Sequence, residues 1–162
     1  MSNFDQLDYD IITLLNRNAR SSSADIARQL GTAERSVRNR IHRLIEHKVI
    51  TPVAVVNPAA FGYTLWIDIF CEVDPSEQDQ AIEALVKMPE VAYIAYSTGD
   101  QDISLQAVLK NSADMHEFLT QRLHQVPGLR RTRTVLIPRV VKDTYQWLPP
   151  NDSFDASNSG SE

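Results

Sequence analysis

The sequence contains a single cysteine, Cys71, among its 162 residues. One cysteine cannot form a disulfide within the chain, which excludes the disulfide-rich secreted class. No apolar run reaches the roughly 18 residues that a membrane-spanning helix requires. The N-terminal residues also lack the basic and apolar regions of a signal peptide. We therefore expect a cytoplasmic globular protein with no membrane partner.

Recognisable catalytic and metal-binding motifs are missing as well. The chain has four histidines, and none belongs to an HExxH pattern; a P-loop and a nucleophile elbow are equally absent. His42 and Glu46 lie four residues apart and could bind a metal, but the basic residues around them would repel a cation. We therefore predict that the protein is not an enzyme and uses no metal or cofactor.

Negative charge is in excess, with 16 Lys and Arg against 21 Asp and Glu, but it is unevenly distributed. Residues 20–48 hold seven cations and three anions. Because salt screens charges beyond about 8–10 Å, a basic segment on an acidic protein can still bind DNA phosphates. This segment is therefore the candidate for nucleic-acid contact.

Three short helices are predicted in a domain over residues 1–50. Asp5 caps the first, and apolar residues follow it at helical spacing. Ser22 begins the second helix and Gly31 ends it, while the third runs from about Glu34 to Lys48. Two helices joined by a tight glycine turn, the second of them basic, indicate a helix-turn-helix.

The third helix has two different faces. Val37 and Leu44 belong to an aliphatic face, whereas guanidinium and amide side chains occupy another arc. Arginine and asparagine are the usual readers of guanine and adenine edges in the major groove. A solvated basic surface helix is the alternative, but the position after a capped helix and a glycine turn favours DNA contact. The predicted DNA-binding residues are Ser22, Arg35, Ser36, Arg38, Asn39, Arg40, His42 and Arg43.

The rest of the chain suggests a second domain. A β-branched run before Asn57 suits a wing strand and linker over residues 51–62. Residues 63–148 then show a β-α-β-β-α-β pattern, which is that of a ferredoxin-like domain. The predicted fold class is therefore α+β, a winged helix-turn-helix followed by a ferredoxin-like βαββαβ domain. Residues 149–162 are rich in Pro, Ser and acids and are predicted to form a flexible tail.

Helices cover only one face of such a sheet. Trp66, Ile67 and residues 135–137 (Val-Leu-Ile) are candidates for the bare face, which two sheets packed together would bury. We therefore predict at least a homodimer. Twofold symmetry would present two recognition helices to double-stranded DNA, which predicts a palindromic operator.

Several short motifs, in their order and spacing, resemble the Lrp/AsnC (leucine-responsive/asparagine-responsive) family of transcription regulators over about residues 4–145. The stretches that carry the resemblance are Asp5-Gln6-Leu7-Asp8, Asn18-Ala19-Arg20, Ile26-Ala27, the set Val37, Arg40, Ile41, Arg43 and Leu44 followed by Val49-Ile50, then Gly99-Asp100-Gln101-Asp102 and Pro127-Gly128. The resemblance implies a sequence-specific regulator whose dimers assemble further, to tetramers or octamers.

The resemblance also implies an amino-acid effector bound between subunits near the turn after the second strand. Carried over by position, its site comprises Ser97, Thr98, Gly99, Asp100, Asp102, Thr132 and Thr134. A carboxylate can hold an ammonium group, and backbone N–H groups of a glycine turn can hold an α-carboxylate. In the alternative, Gly99 only supplies a positive φ and the aspartates cap a hairpin.

Three positions depart from the family pattern. Ala33 replaces the usual Ser or Thr cap of the recognition helix, so either Thr32 takes that role or the cap is absent. Gln101 replaces an aromatic residue, which leaves the effector's identity open. Pro52-Val53 replaces Gly-Tyr and stiffens the linker.

Two other functions remain open at this stage. One is a DNA-organising protein with little sequence preference. The other is an enzyme like the siroheme decarboxylases, which share the two-domain plan. Such an enzyme would not need the basic face of the third helix, so that face favours the regulator.

Overall fold

The computed structural model describes residues 4–154, which belong to two compact units. One unit combines residues 4–55 with residues 142–154, and the other is Val56–Val141. The second unit ends at residue 141, whereas the second domain was predicted to end at residue 148. None of the helices in the described range is both long and apolar enough to cross a membrane.

The predicted helix-turn-helix is confirmed. Its helices are α1 (Gln6–Arg17), α2 (Ser23–Leu30) and α3 (Glu34–Glu46). Asp5 caps α1 and Ser22 caps α2, each accepting a hydrogen bond from the backbone N–H three residues ahead. Gly31 ends α2 with a φ of 63°, a left-handed conformation that glycine adopts without a steric penalty. The helices share a core of apolar side chains that includes the fully buried Ile11, Ile26, Val37 and Leu44.

The segment after α3 forms no strand, so the wing strand predicted within the wing and linker over residues 51–62 is wrong. Residues 51–57 have no regular structure, and a 3-10 turn follows at Pro58–Phe61. A strand needs a partner for its backbone groups, and none of the described strands pairs with this segment. Pro52 also lacks an N–H donor. The valines of the run stay largely exposed.

The C-terminal end of the described chain packs against α1, which corrects the flexible tail predicted over residues 149–162 for its first part, residues 149–154. Phe154 lies edge-on to Tyr9, with ring centroids 5.1 Å apart. It is only 6 % exposed and joins the core of the helical unit together with the partly buried Leu148. Burial of a large aromatic side chain outweighs the polar composition from which disorder was predicted. Residues 155–162 lie outside the described part of the chain.

The second unit has the predicted β-α-β-β-α-β order. Its elements are β1 (Leu65–Val73), α4 (Gln78–Val86), β2 (Val91–Tyr96), β3 (Ile103–Leu109), α5 (Ser112–Glu117) and β4 (Leu129–Ile137). The strands form one antiparallel sheet in the order β2-β3-β1-β4, which is the ferredoxin-like arrangement. Asn111 caps α5, which continues into a π-helical turn at Phe118–Arg122.

Alternate residues of β1 lie on opposite faces of the sheet. The residues packed beneath the helices are Ile67, Ile69, Cys71 and Val73. The register pairs Trp66 with Ile137 and Ile67 with Leu136, and paired residues share a face. Ile67 and Leu136 therefore lie on the helix side, which corrects their prediction as bare-face residues. Trp66, Val135 and Ile137 do belong to the open face.

Candidate nucleic-acid interface and effector region

The basic side chains of α3 fall into two groups with different surroundings. The first group, which we name the exposed α3 face, consists of Arg35, Arg38, Asn39 and His42. Helical geometry places it opposite the buried Val37 and Leu44. Its guanidinium, amide and imidazole groups are suited to base edges and phosphates. Ser36, also predicted to bind DNA, is partly buried beside this face.

The side chains of the exposed α3 face form only weak ion pairs with other residues. Arg38 pairs with Glu34 one helical turn away, and the side chains are 66 % and 47 % exposed. Such exposed pairs contribute about 0.3–0.5 kcal/mol, whereas a bidentate arginine–guanine contact contributes about 1–3 kcal/mol. A guanine contact of this kind would therefore outweigh the pair between Arg38 and Glu34. Arg35 makes no ion pair with any side chain described in residues 4–151 and 153–154.

The two helix starts of the motif are capped differently. Ser22 Oγ accepts from the Asp25 N–H at 3.1 Å and donates to Asp25 Oδ2 at 2.6 Å. These hydrogen bonds, opposed by partial burial and assisted by Arg28, hold the pKa of Asp25 below its ordinary value. Ser22 is exposed, but its hydroxyl is already engaged in capping α2. Ala33 precedes α3 without a side-chain cap, so the second of the two predicted outcomes is the observed one.

Arg40 and Arg43 form the second group and point toward carboxylates of the α1 region. Arg40 Nη1 lies 2.6 Å from Asp5 Oδ1 and 3.0 Å from Asp8 Oδ1, while Arg43 Nη2 lies 2.6 Å from Asp8 Oδ2. The Asp8 side chain is fully buried, and the two arginines are 25 % and 41 % exposed. Burial of Asp5 disfavours its charge, but hydrogen bonds from Arg40 and the Asp8 N–H outweigh this effect and lower the pKa of Asp5. We name these four residues the α1–α3 clamp.

The α1–α3 clamp gives Arg40 and Arg43 partners within the chain, and their contact with DNA stays a prediction. Their charges are already matched by carboxylates, so little of their field is left for phosphates. A buried carboxylate such as Asp8 is tolerated only because cations compensate it. The two arginines therefore fix α3 against α1. Five of the seven cations in residues 20–48 remain outside the clamp.

The turn between β2 and β3 is fixed by Asp102, which was predicted to bind an effector. Its N–H donates to Cys71 O and its C=O accepts from the Ser97 N–H, both at 2.9 Å. Its Oδ2 accepts from the Val73 N–H at 2.8 Å, at the point where β1 carries a bulge. The hydrogen bonds to Cys71 and Val73 tie the turn to β1, and the one from Ser97 closes the turn itself. Asp102 and Ser97 therefore shape the turn.

The remaining predicted effector residues form two separate groups. Thr98, Gly99 and Asp100 are exposed, and Gly99 has a φ of 129°, which side-chain-bearing residues rarely adopt. Thr132 and Thr134 lie on β4, and β1 separates them from β3. Two interstrand spacings amount to about 10 Å. The two groups therefore do not adjoin each other within one chain.

Metal-binding and nucleophilic groups do not gather elsewhere in the described range. Among the side chains described in residues 4–151 and 153–154, no three His, Cys, Asp or Glu form a group that could hold a metal ion. Cys71 is buried in the sheet core, and its burial raises the pKa of its thiol to about 12. A thiol that stays protonated at neutral pH is a poor nucleophile.

The sequence prediction missed the part played by Asp8. This residue lies on the apolar side of α1, four positions before the buried Ile12. A carboxylate within an apolar stripe signals a buried ion pair. The sequence also shows matching spacings of the ion-pair partners, because Asp5 and Asp8 are three residues apart, as are Arg40 and Arg43.

Two protein-family descriptions match the chain. The AsnC-type helix-turn-helix domain matches residues 4–45, which contain α1, α2 and most of α3. The Lrp/AsnC ligand binding domain matches residues 67–147, which contain the ferredoxin-like sheet from the third residue of β1 onward and both of its helices. The two matches therefore divide at the linker between the two compact units.

Curated proteins are similar along most of their length. The HTH-type transcriptional regulator FL11 of Pyrococcus furiosus is 33 % identical over 143 residues, which are 88 % of this chain and 94 % of that protein. The HTH-type transcriptional regulator Ptr1 of Methanocaldococcus jannaschii is 31 % identical over 140 residues, which are 86 % of this chain and 95 % of that protein.

Solved structures show the same fold. AsnC of E. coli has a TM-score of 0.80 at 22 % identity, covering 86 % of this chain and 95 % of that one. A transcriptional regulator of Neisseria meningitidis in complex with L-Met has a TM-score of 0.83 at 20 % identity, covering 90 % and 96 %. At these identities the similarity establishes the fold.

The matches to both domains and the curated relatives point to one function class. They support a regulator that binds DNA through its helix-turn-helix and a ligand through its second domain, and they disfavour the enzyme alternative. The chain belongs to the Lrp/AsnC family of helix-turn-helix transcription regulators.

Proposed function

We propose that the protein is a sequence-specific regulator that reads its operator with the exposed α3 face. The observation that carries this proposal is the division of the α3 cations between an internal clamp and an outward face. The clamp fixes the helix, and Arg35 and Arg38 are left to bind guanine edges. Asn39 has the amide that suits adenine, and Ser22 lies at the start of α2, where phosphate contacts would position the motif.

A second copy of the chain is the proposed cover of the open sheet face. The Arg133 guanidinium lies 4.6 Å from the centroid of the Phe70 ring, and Gln106 Nε2 donates to Asp68 Oδ1 at 2.9 Å. Polar groups on this face are thus partly satisfied before any partner arrives, which lowers the cost of burying them. A twofold dimer would recognise a palindromic operator. Further association would give tetramers or octamers.

An amino acid is the proposed effector, bound between subunits at the β2–β3 turn. Asp100 offers an exposed carboxylate for the ammonium group, and the backbone at Gly99 is open to an α-carboxylate. Thr132 and Thr134 do not adjoin this turn within one chain, so they would be supplied by a neighbouring subunit. The L-Met complex of the Neisseria meningitidis regulator supports this ligand class.

Selection of bound genomic fragments tests the DNA part of the proposal. We expect a palindromic preference in which Arg35→Ala and Arg38→Ala each relax one base position, by about 1–3 kcal/mol for a bidentate contact. Lys87→Ala, which removes an exposed cation from the second unit, should keep the wild-type preference. An unchanged preference in both arginine variants would exclude the exposed α3 face as the reader. Absence of any enriched sequence would favour the DNA-organising alternative.

The same selection, repeated with each common amino acid, tests the effector part. One amino acid should shift the affinity or the assembly state of the wild-type protein. Asp100→Asn should abolish that shift and leave DNA affinity without effector unchanged, because Asp100 belongs to the β2–β3 turn and not to the exposed α3 face. A full response in Asp100→Asn would remove the turn from the effector site.

A further inference from the structure

Lys48 lies just after α3 and has an unusual backbone conformation. Its φ of 56° falls in the left-handed region. The Lys48 N–H donates to Ile45 O at 2.9 Å, and the Val49 N–H donates to Leu44 O at 2.8 Å. These two hydrogen bonds form a Schellman motif, in which the residue at the Lys48 position is left-handed. The way in which α3 ends therefore fixes the conformation of Lys48.

The neighbouring helix ends in the same way, but with a glycine. Gly31 follows α2 with a φ of 63°, and the Thr32 N–H donates to Ala27 O, five residues back, as Val49 does in the turn after α3. The other positions with a positive φ in the described range are also glycines: Gly62, Gly99 and Gly128. Among residues 4–154, Lys48 is therefore the one residue with a side chain in such a conformation.

A lysine at this position lowers the stability of the fold. In the left-handed conformation the Cβ of an L-residue crowds a backbone carbonyl, a contact that glycine does not make. The helix dipole favours a cation near the end of α3, but for an exposed side chain such as Lys48 this attraction is weaker than the steric cost. Stability therefore does not explain the lysine. Strained residues of this kind concentrate at functional sites.

The charge of Lys48 is not used within the fold. Lys48 forms no ion pair with the side chains that the structure describes. Arg43, five residues earlier, is by contrast paired with Asp8 in the α1–α3 clamp. Two hydrogen bonds fix the backbone around Lys48, while its ammonium group is open to solvent. Such a cation is available for an anion outside the protein.

The length of α3 places Lys48 beyond the bases that the helix would read. Lys48 follows Arg35 by 13 residues, which corresponds to roughly 20 Å along a helix at about 1.5 Å per residue. The major groove of DNA is only about 12 Å wide. A recognition helix contacts base edges with its N-terminal residues. When Arg35 reaches the bases, the far end of α3 therefore extends past the groove to the phosphates at its edge.

We propose that Lys48 binds a DNA phosphate at the edge of the major groove, from a left-handed backbone position that glycine would suit better. The proposal rests on the proposed entry of the exposed α3 face into that groove. A phosphate carries no sequence information, so the contact strengthens binding to every duplex alike and holds the helix in place while Arg35 and Arg38 read bases. Glycine at this position would relieve the strain and lose the contact.

Melting temperature and salt-dependent DNA binding of the full-length protein test this proposal together. The probes are two duplexes of equal length, one of random sequence and one enriched in the genomic selection. Lys48→Gly should raise the melting temperature by about 2–4 °C. It should also lower the slope of log affinity against log salt concentration by about 0.9 on both duplexes. Lys48→Arg keeps the cation and should keep the wild-type slope.

Two further variants separate backbone strain from charge. Gly31→Ala should lower the melting temperature by a similar amount, because its added Cβ has no neighbour within 4 Å and only the backbone is strained. Lys87→Gly removes the same charge from another helix end, where φ is an ordinary −79°, and should neither raise the melting temperature nor change the slope.

Three results for Lys48→Gly would overturn the proposal: an unchanged slope, a loss of affinity confined to the enriched duplex, or a melting temperature that does not rise. Failure of the proposed function looks different. If the wild-type protein binds both duplexes equally but Lys48→Gly still lowers the slope, sequence reading by the exposed α3 face is refuted and the phosphate contact is supported.

Discussion

The α1–α3 clamp makes Asp8→Asn an informative substitution. Asparagine keeps the shape of the side chain but removes its charge from a fully buried position. Arg43 then loses its carboxylate, and Arg40 keeps Asp5 alone. Removing one partner of a buried ion pair costs about 3–5 kcal/mol. The two arginines are partly exposed and can regain water, so we expect the lower end of that range, about 3 kcal/mol.

Urea unfolding, followed by the circular dichroism of the helices, measures this loss. Asp10→Asn is the matched control, because it makes the same change in the same helix at a carboxylate that accepts from Gln6. The control should change the free energy of unfolding by no more than about 0.5 kcal/mol. Equal losses in the two variants, or a loss below about 1 kcal/mol for Asp8→Asn, would refute the buried clamp.

The salt dependence of DNA binding distinguishes the clamp from the exposed α3 face. Each cation that neutralises a DNA phosphate contributes about 0.9 to the slope of log affinity against log salt concentration. Arg35→Gln should lower this slope, because Arg35 is free to enter the field of the DNA. Arg43→Gln should leave the slope unchanged while weakening specific binding, because it displaces α3. A lower slope in Arg43→Gln would show that this arginine contacts phosphate directly.

Three further substitutions or treatments test single features of the structure. Glu34→Gln should tighten binding to all duplexes severalfold, since it removes an anion from the exposed α3 face; weaker binding in a filter assay would contradict this. Phe154→Ala should cost about 3 kcal/mol of unfolding free energy, whereas Trp147→Ala, at an exposed residue, should stay within about 0.5 kcal/mol. Cys71 should react with Ellman's reagent only after unfolding. Because burial raises the pKa of Cys71 from 9.0 to about 12, its contribution to stability should be intact below pH 9 and should be lost as the pH rises toward 12.

The architecture was predictable because each element carries its own periodic signal. Asp5, Ser22 and Gly31 mark helix boundaries by hydrogen bonding and backbone conformation alone, so the helix-turn-helix could be placed from the sequence. The alternation of β1 likewise predicts a strand. Its register was not predictable, because the face on which Ile67 lies depends on the pairing with β3 and β4.

The predictions for the linker and for the C-terminal segment failed for a different reason. The β-branched run before Asn57 has strand propensity, but a strand also requires a partner, which local sequence cannot supply. Phe154 lies in a polar segment, and only the tertiary contact with Tyr9 makes it part of a core. Composition describes the structure that a segment favours alone. The structure of both segments depends instead on whether another part of the fold offers a partner.

The surroundings of the predicted DNA-binding residues could be foreseen only in part. Arg35 and Arg38 lie outward as helical spacing requires, whereas Arg40 and Arg43 point toward carboxylates of another helix. Residue type and helical angle do not distinguish a guanidinium that faces solvent from one that spans two helices. The buried Asp8 was the distinguishing residue.

The ratio of operator affinity to random-duplex affinity, at one fixed near-physiological salt concentration, tests the central claim most directly. If the exposed α3 face reads bases, the wild-type ratio should be about 10³ or more. The double variant Arg35→Ala/Arg38→Ala should lose most of that ratio, while Lys87→Ala keeps it. A wild-type ratio close to one, or a ratio that survives in the double variant, would contradict the claim that this helix face selects the operator.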